Sequence, residues 1–431
     1  MRIGIDGYNL VLTHGTGVAT YGASLAHVLR NCGHAVEGIF GLYADPRAER
    51  REVQFFDRFA HGHRIAERSL VRQVALATAF NHLPRRLSPV PLTQAVDRRS
   101  FGYRFPRFDA LWTHNLLFEQ AYARFKYLRR FTTVTMPDPP DVMHWTYPVP
   151  VRMKGARNVY TIHDLVPLRL PQATLDDKRY YYQLVQNCID TADHIITVSE
   201  ASRRDILSLF TVAEAKVTNT YQSSPVPPEV SRATREQDAA MIRSIFGLEQ
   251  DNYYLFFGAI DPKKNIGRIV DAYLSARSDR KLVIVSSRDW GMDAETRMLG
   301  PDGEVYGRKL GRKIIRLQYL PRPTLFRLIA GARAVLFPSL YEGFGLPALE
   351  AIQMDTPVIG STASSLPEVI GDAGLMVDPY NTAEIAEAIR RLDSDDALVG
   401  RLAAAAPAQA AKFSDDAWAR ALASVHDGLR L

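Results

Sequence analysis

The sequence predicts an α/β protein made of two doubly wound, largely parallel sheets. Three observations predict it: a length of 431 residues, apolar strand-like runs that alternate with helix-length amphipathic stretches, and a Pro/Ser/charge-rich break near the middle. A chain this long exceeds one ordinary core, so two domains are expected. Hydrophobic residues make up 46% and charged residues 23%, which excludes disordered and fibrous classes.

Taken in order, "RIGIDGY" reads as a short strand, followed by the glycine-bearing "LTHGTG" and by "VATYGASLAHVLRNCG", whose apolar residues recur at helical spacing up to Gly33. "NVYTIHDLV" and "HIITVSE" read as buried strands, and "ASRRDILSLF" as a helix started by Ser199, most simply its N-cap. A second series opens at "NYYLFFGAI". It runs through helical "IGRIVDAYLSA", strands "KLVIVSS" and "KIIRLQYL", helical "PTLFRLIAGA", strand "AVLFPS", helical "LPALEAIQM", strands "TPVIGS" and "GLMVDP", and helical "TAEIAEAIRRL". Strands alternating with helices of this length argue for parallel sheets.

"SSPVPPEVSRATREQD", Ser223 to Asp238, lacks periodicity and reads as the interdomain connection. The expected domains are 1–230 and 240–411. The remainder, 412–431, holds a helix capped by Ser414 that carries Trp418, Leu422 and Val425 on one face and must dock on something.

The net charge of +6 permits an anionic partner. Roughly seventeen Arg/Lys against seven Asp/Glu lie between Pro46 and Thr135, which reads as a basic helical insertion around 45–135. "RIAERSLVRQVALATAF" suggests an amphipathic basic helix, and aromatics interleave with Arg in "RRSFGYRFPRFDALW" and "YARFKYLRRF". Three readings compete: a solvated insertion, a surface for anionic lipid or a lipid-linked acceptor, and a nucleic-acid surface. No nucleic-acid-binding motif supports the third, so no nucleic-acid partner is expected. With no apolar run of about 18 residues, no signal-peptide pattern at "MRIGIDGYNL" and only Cys32 and Cys188, a cytoplasmic location is expected, peripheral at the inner membrane face if the lipid reading holds.

The chemistry concentrates in "SLYEGFGLPALEA", Ser339 to Ala351, where seven residues separate Glu342 from Glu350. The apolar run "AVLFPS" places Glu342 just beyond a strand's carboxyl end, where ligands bind in open α/β sheets. Glycines there admit close backbone approach, and Leu346 and Pro347 start a helix whose positive end suits phosphate. Either acid alone is equally well read as an ordinary surface carboxylate. The whole string behind a buried strand is not.

Phe337 to Pro379 resembles the Glu-x7-Glu donor signature of the retaining glycosyltransferases of family 4, which have the GT-B fold. The resemblance extends to "LFFGAIDPKKNI", "VYTIHDLVPLRLP" and "ADHIITVSEASRRDIL", and more weakly to "TGVATY" and "FSDDAWARALA", leaving Tyr43 to Met136 as the main gap. It implies two Rossmann-like domains facing across a cleft, acceptor on the first and nucleotide sugar on the second, with the last helix crossing back to the first domain.

Residue by residue, the resemblance implies that Glu342 contacts hydroxyls of the donor sugar. The amides of Gly343, Phe344, Gly345 and Leu346 hold sugar and phosphate, and Glu350 bonds the ribose. Lys264 in "DPKKN" matches the phosphate-binding lysine, which would meet charge growing on the bridging oxygen. His163 in "YTIHD" matches a histidine at the sugar's reacting face, although a lone His is otherwise more often structural; Asp164 beside it suits loop support. Ala259 stands where the family often has Arg, so a second phosphate cation must come from elsewhere. Lys263 is the neighbour to consider, although a solvated turn lysine is an equal reading. Gly17 is retained near the diphosphate, Ala19 replaces a second glycine, and Asp355 occupies a place usually glycine.

The expectation is a retaining hexosyltransferase that needs no metal and no cofactor, since no Asp-x-Asp pair is placed as a clamp. The favoured donor is GDP-mannose, because "GAIDPKKN" and "YEGFGLPALEA" most resemble mannosyltransferases of surface-polysaccharide assembly. The acceptor would be a glycan or lipid-linked glycan. UDP-, dTDP- and other GDP-hexoses stay open as donors, as do a phosphorylase-like enzyme and a catalytically silent scaffold.

Overall fold

The computed structural model describes residues 1–12, 17–61, 84–93, 95–231, 235–286, 304–305, 308–309, 313–318 and 320–430. The first half winds helices around an eight-stranded sheet. Its strands are β1 (Arg2–Asp6), β2 (Ala35–Phe40), β3 (Ser88–Val90), β4 (Ala110–Thr113), β5 (Val142–Trp145), β6 (Arg157–Thr161), β7 (His194–Thr197) and β8 (Val217–Asn219), in the order β8-β7-β6-β5-β1-β2-β4-β3. All neighbours are parallel except β3 with β4. Most of these strands are buried along nearly their whole length because helices cover the sheet, which is why they read as apolar runs rather than alternating ones. Those helices include α1 (Gly17–Asn31), α2 (Arg51–His61), α3 (Leu117–Leu128), α4 (Lys178–Thr191) and α5 (Glu200–Leu209).

The stretch expected as an insertion around 45–135 is largely part of this domain. It supplies β3, β4, α2 and α3, together with two strands of a small parallel sheet at Arg85–Arg86 and Thr132–Thr135. Several of the aromatics interleaved with Arg are core residues. Phe105 stacks on Phe40 at 6.1 Å and meets Phe56 at 4.9 Å and Phe108 at 5.5 Å, all four buried. Sequence pattern misled here because an aromatic every few residues in an irregular segment fills a core as readily as it decorates a surface. The expected helix "RIAERSLVRQVALATAF" lies outside the described residues.

The chain crosses at 220–227 and enters the second half through α6 (Arg235–Phe246), so the structureless connection is shorter than Ser223–Asp238. A six-stranded sheet follows: β9 (Tyr253–Phe257), β10 (Lys281–Val285), β11 (Ile314–Leu317), β12 (Ala334–Phe337), β13 (Val358–Ser361) and β14 (Gly374–Val377). Its order, β11-β10-β9-β12-β13-β14, is all parallel. This is the 3-2-1-4-5-6 winding of dinucleotide-binding folds, whose switch point lies between the first and fourth strands, here β9 and β12. Around it pack α7 (Ile266–Ala276), α8 (Arg322–Ala330), α9 (Leu346–Ile352), α10 (Leu366–Ile370), α11 (Thr382–Ser394) and α12 (Asp396–Ala411). Asp355 takes φ 55°, the left-handed conformation that Asp tolerates.

The last helix, α13 (Asp415–Gly428), is capped by Ser414 and returns to the first domain. Its Trp418, 1% exposed, lies 5.3 Å from the ring of Tyr21 on α1. The two crossovers touch where Phe413 meets Tyr221 edge-on at 5.2 Å. Among the described residues no helix is long and apolar enough to cross a membrane.

Candidate active site

A cleft of about 480 Å³ opens between the carboxyl ends of the two sheets, within the size range of small-ligand sites. On the second domain it sits at the switch point. Gly258 and Ala259 follow β9, and the loop Pro338–Gly345 follows β12. The first domain contributes Gly17, Val18, Thr20, His163, Asp164 and Val198. All ten expected site residues, Gly17, His163, Lys263, Lys264, Glu342, Gly343, Phe344, Gly345, Leu346 and Glu350, line this one cleft.

Lys264 closes the turn that begins at Asp261, whose side chain accepts from the Lys263 amide. The next residue, Asn265, is buried in a left-handed conformation and donates to the carbonyls of Pro338 (3.0 Å) and Pro379 (2.7 Å). Together with the Leu340 amide on the Lys263 carbonyl (2.7 Å), this bolts the lysine turn to the donor loop. Lys264 Nζ then lies 2.6 Å from Glu342 Oε1 and 4.6 Å from the Phe337 ring centre. Burial lowers the Lys264 ammonium below its usual range and opposes ionisation of Glu342. Both lysines nevertheless hold the Glu342 carboxyl below its ordinary value, so the pair is ionised.

The loop between the two glutamates is held from behind. The Ser364 hydroxyl accepts from the Glu342 amide (2.8 Å), and the Ser365 hydroxyl lies within bonding distance of the carbonyls of Glu342 (3.0 Å) and Phe344 (2.8 Å). Phe344 is buried against Phe413, so its role in the cleft is through its backbone. Gly345 has φ 105°, and a Cβ on Gly343 would lie 2.5 Å from the His163 carbonyl oxygen; neither position admits a side chain without displacement. Among the described residues, the amides of Gly343, Phe344, Gly345 and Leu346 donate to no protein acceptor. Successive N–H groups of this kind form a nest for an anion.

Glu350 lies one turn into α9, buried, with Oε1 3.0 Å from Arg322 Nη1 and 3.1 Å from the Ser224 hydroxyl. Burial raises its carboxyl above the ordinary value, against Arg322 and Ser224. Neither partner was singled out in the sequence. Arg322 sits at the start of α8 and Ser224 in the crossover, and only the fold joins them. Among the described residues Arg322 is a further cation in the cleft beside the two lysines, whereas Ala259 contributes none.

His163 follows β6. Its Nε2 donates to the Thr146 carbonyl (2.8 Å), so in the neutral ring Nδ1 is the acceptor. Burial lowers its pKa and keeps it neutral, against the Thr146 carbonyl and Asp164. The ring packs edge-on to Tyr21 at 4.8 Å, and Tyr21 in turn touches Trp418, so the terminal helix backs the histidine. Asp164 supports the loop by accepting from the Val166 amide, and Ser199 caps α5 by accepting from Ser202. No cluster of His, Cys, Asp and Glu suited to a metal ion is present among the described residues.

Two doubly wound domains with an anion nest and paired acids in the cleft between them define a GT-B glycosyltransferase. Residues 15–221 match Glycosyltransferase Family 4 and residues 239–409 match Glycosyl transferases group 1. The chain is 33% identical to O-antigen chain mannosyltransferase B of Escherichia coli over 264 residues, 60% of this chain and 67% of that protein. It is 30% identical to serotype-specific mannosyltransferase WbdA of Escherichia coli over 63% of this chain, but spans only 33% of WbdA. The structure of Anabaena Alr3699/HepE in complex with UDP superposes with a TM-score of 0.66 at 14% identity, covering 99% of each chain. The chain belongs to the family 4 glycosyltransferases.

Proposed function

We propose that the protein transfers a hexose, mannose from GDP-mannose, to a hydroxyl of a glycan or lipid-linked glycan, with retention and without a metal ion. The observation that carries this reading is the run of four unpaired amides between Glu342–Lys264 at one end of the cleft and Glu350–Arg322 at the other. A nucleoside diphosphate sugar laid along that run has a defined sense. Glu350 takes the ribose hydroxyls, the amides and cations take the diphosphate, and Glu342 takes the sugar hydroxyls. The mannose assignment rests on likeness to O-antigen chain mannosyltransferase B.

In the reaction the bond from the anomeric carbon to the bridging phosphate oxygen breaks, and the acceptor oxygen bonds that carbon on the same face. The acceptor proton passes to the departing phosphate, so no protein base is assigned. Lys264 and the amides meet the charge growing on the diphosphate. His163, neutral and accepting at Nδ1, orients a sugar hydroxyl.

The described part of the basic segment also exposes Lys126, Arg129 and Arg130 beside Tyr127 and Leu128 at the end of α3, which suits anionic lipid. Salt-sensitive co-sedimentation with anionic liposomes tests that contact, and its absence at low salt removes it.

The deciding experiment is thermal shift with GDP, UDP, dTDP and ADP, with and without EDTA, followed by transfer from GDP-[14C]mannose and NMR of the product anomer. A GDP shift unaffected by EDTA and an α-linked product are expected. A larger shift with another nucleotide reassigns the donor, and an EDTA-sensitive one overturns metal independence.

A further inference from the structure

Helix α5 belongs to the first domain, yet its first turns hold the donor loop of the second. The Ser199 hydroxyl that caps the helix also donates to the Gly343 carbonyl at 2.6 Å, and the Ser202 hydroxyl lies within bonding distance of that carbonyl and of the His163 carbonyl. Glu368, from α10 across the cleft, accepts the amides of Glu200 (2.9 Å) and Ala201 (2.7 Å), one with each carboxylate oxygen. These are first-turn N–H groups that no helical carbonyl can reach, and a carboxylate placed there also meets the positive end of the helix. The backbone of Glu368 is anchored in its own domain, since Gln409 of α12 donates to the carbonyls of Glu368 and Val369. One turn further along α5, Asp205 accepts the Tyr341 hydroxyl and pairs with Arg169 at 2.6 Å.

Tyr341 and Gly343 flank Glu342. One helix therefore grips both neighbours of the residue assigned to the donor sugar, and Glu368 clamps the start of that helix from the far side. The contacts of Ser199 and Ser202 with Gly343, of Glu368 with the Glu200 and Ala201 amides, and of Asp205 with Tyr341 join the two domains and need the cleft closed. The gap they set is narrow, because Gly343 meets the His163 backbone so closely that no side chain fits.

We propose that Glu368 and the start of α5 form a closure latch, with Glu368 and Ser199 acting as positioning residues that bring the Glu342 loop against the His163 strand end. The kinetic part of this inference rests on the sugar-transfer reading; the conformational part does not. A contact that merely stabilised the fold would lower the melting temperature and leave the closed geometry alone. A latch moves the open–closed population and kcat while the donor-loop amides, and with them donor KM, stay in place.

The test places spin labels at exposed positions on either side of the cleft, Leu175→Cys and Tyr380→Cys in a Cys32→Ser background, and measures their separation by pulsed EPR with and without GDP. Glu368→Ala is expected to shift the distribution to longer distances and to lower kcat on the order of tenfold, with donor KM within about twofold. Glu368→Gln, which keeps one acceptor oxygen, should lie between, and it serves as the readout should the alanine variant fail to fold. An unchanged distance distribution in a folded variant overturns the latch, whatever happens to turnover. Parent protein inactive with every donor would sink the sugar-transfer reading and leave the distance measurement to decide the latch.

Discussion

Lys264 Nζ stands 2.6 Å from Glu342 Oε1, so the cation proposed for the diphosphate and the acid proposed for the sugar neutralise each other. Each charge is buried, and neither would be tolerated there alone. On the proposed reading, donor binding redistributes this pair, with Lys264 turning part of its charge to phosphate while sugar hydroxyls replace it on Glu342.

Glu342→Gln separates the two roles. Turnover should fall by about 10²–10³-fold through loss of the sugar contact, while GDP binds more tightly because Lys264 is released. Calorimetric GDP titration alongside transfer assays checks both signs. Glu342 has a folded pKa below its ordinary value, so its stabilisation is present above the unfolded value and is lost as pH falls through the lowered one; the variant should lack that acid limb.

If Glu350 takes the ribose hydroxyls as proposed, its pairing with Arg322 should make nucleotide affinity pH-dependent. Glu350 must be ionised to accept two ribose hydroxyls, and burial sets its pKa above 4.5. GDP affinity should therefore weaken as pH falls through that raised value. Arg322→Met removes the charge that opposes burial, so the midpoint moves to higher pH. A midpoint unmoved in the variant would show that Arg322 does not control Glu350.

Gly343→Ala adds a methyl 2.5 Å from the His163 carbonyl oxygen. Backbone cannot yield as a flexible side chain would, so the loop and the strand end must separate. Transfer should drop by at least roughly tenfold, since small displacements of positioned groups cost that much, with the melting temperature within a few degrees of the parent. Normal turnover would mean that the closed contact is not the reacting one.

The docked terminal helix should loosen in acid. His426 on α13 is buried, which pushes its pKa down to about 4, with His34 and Arg430 adding to the effect and Asp427 opposing it. The ring is neutral in the fold, whereas the unfolded chain takes up a proton near pH 6.5, so stability falls as pH drops from there towards 4. Asp6, pushed up to about 6 by burial, acts in the opposite sense as pH rises through the acid range. The readout is thus the urea midpoint of the parent minus that of His426→Leu, which should fall as pH drops below 6.5.

Where local pattern and tertiary role coincide, the sequence was readable. Strands such as Tyr253–Phe257 and Ala334–Phe337 are buried on both faces and so appear as apolar runs, and the caps Ser199 and Ser414 act within their own helices. The region from 43 to 136 was not readable in this way. Its strands Ala110–Thr113 and Thr132–Thr135 are four residues each, and Phe105 and Phe108 enter the core from irregular backbone.

The sequence by itself determined the α/β alternation and the two-domain plan, because each depends on spacing along a few turns or one strand end, and its resemblance to the family singled out ten candidate site residues. Only the tertiary structure decided what those residues meet. Arg322 on Glu350, Ser224 behind it, Glu368 on the start of α5 and Trp418 behind Tyr21 join positions tens to hundreds of residues apart. Such contacts follow from how two sheets face each other across a cleft, and no periodicity in the chain encodes that orientation.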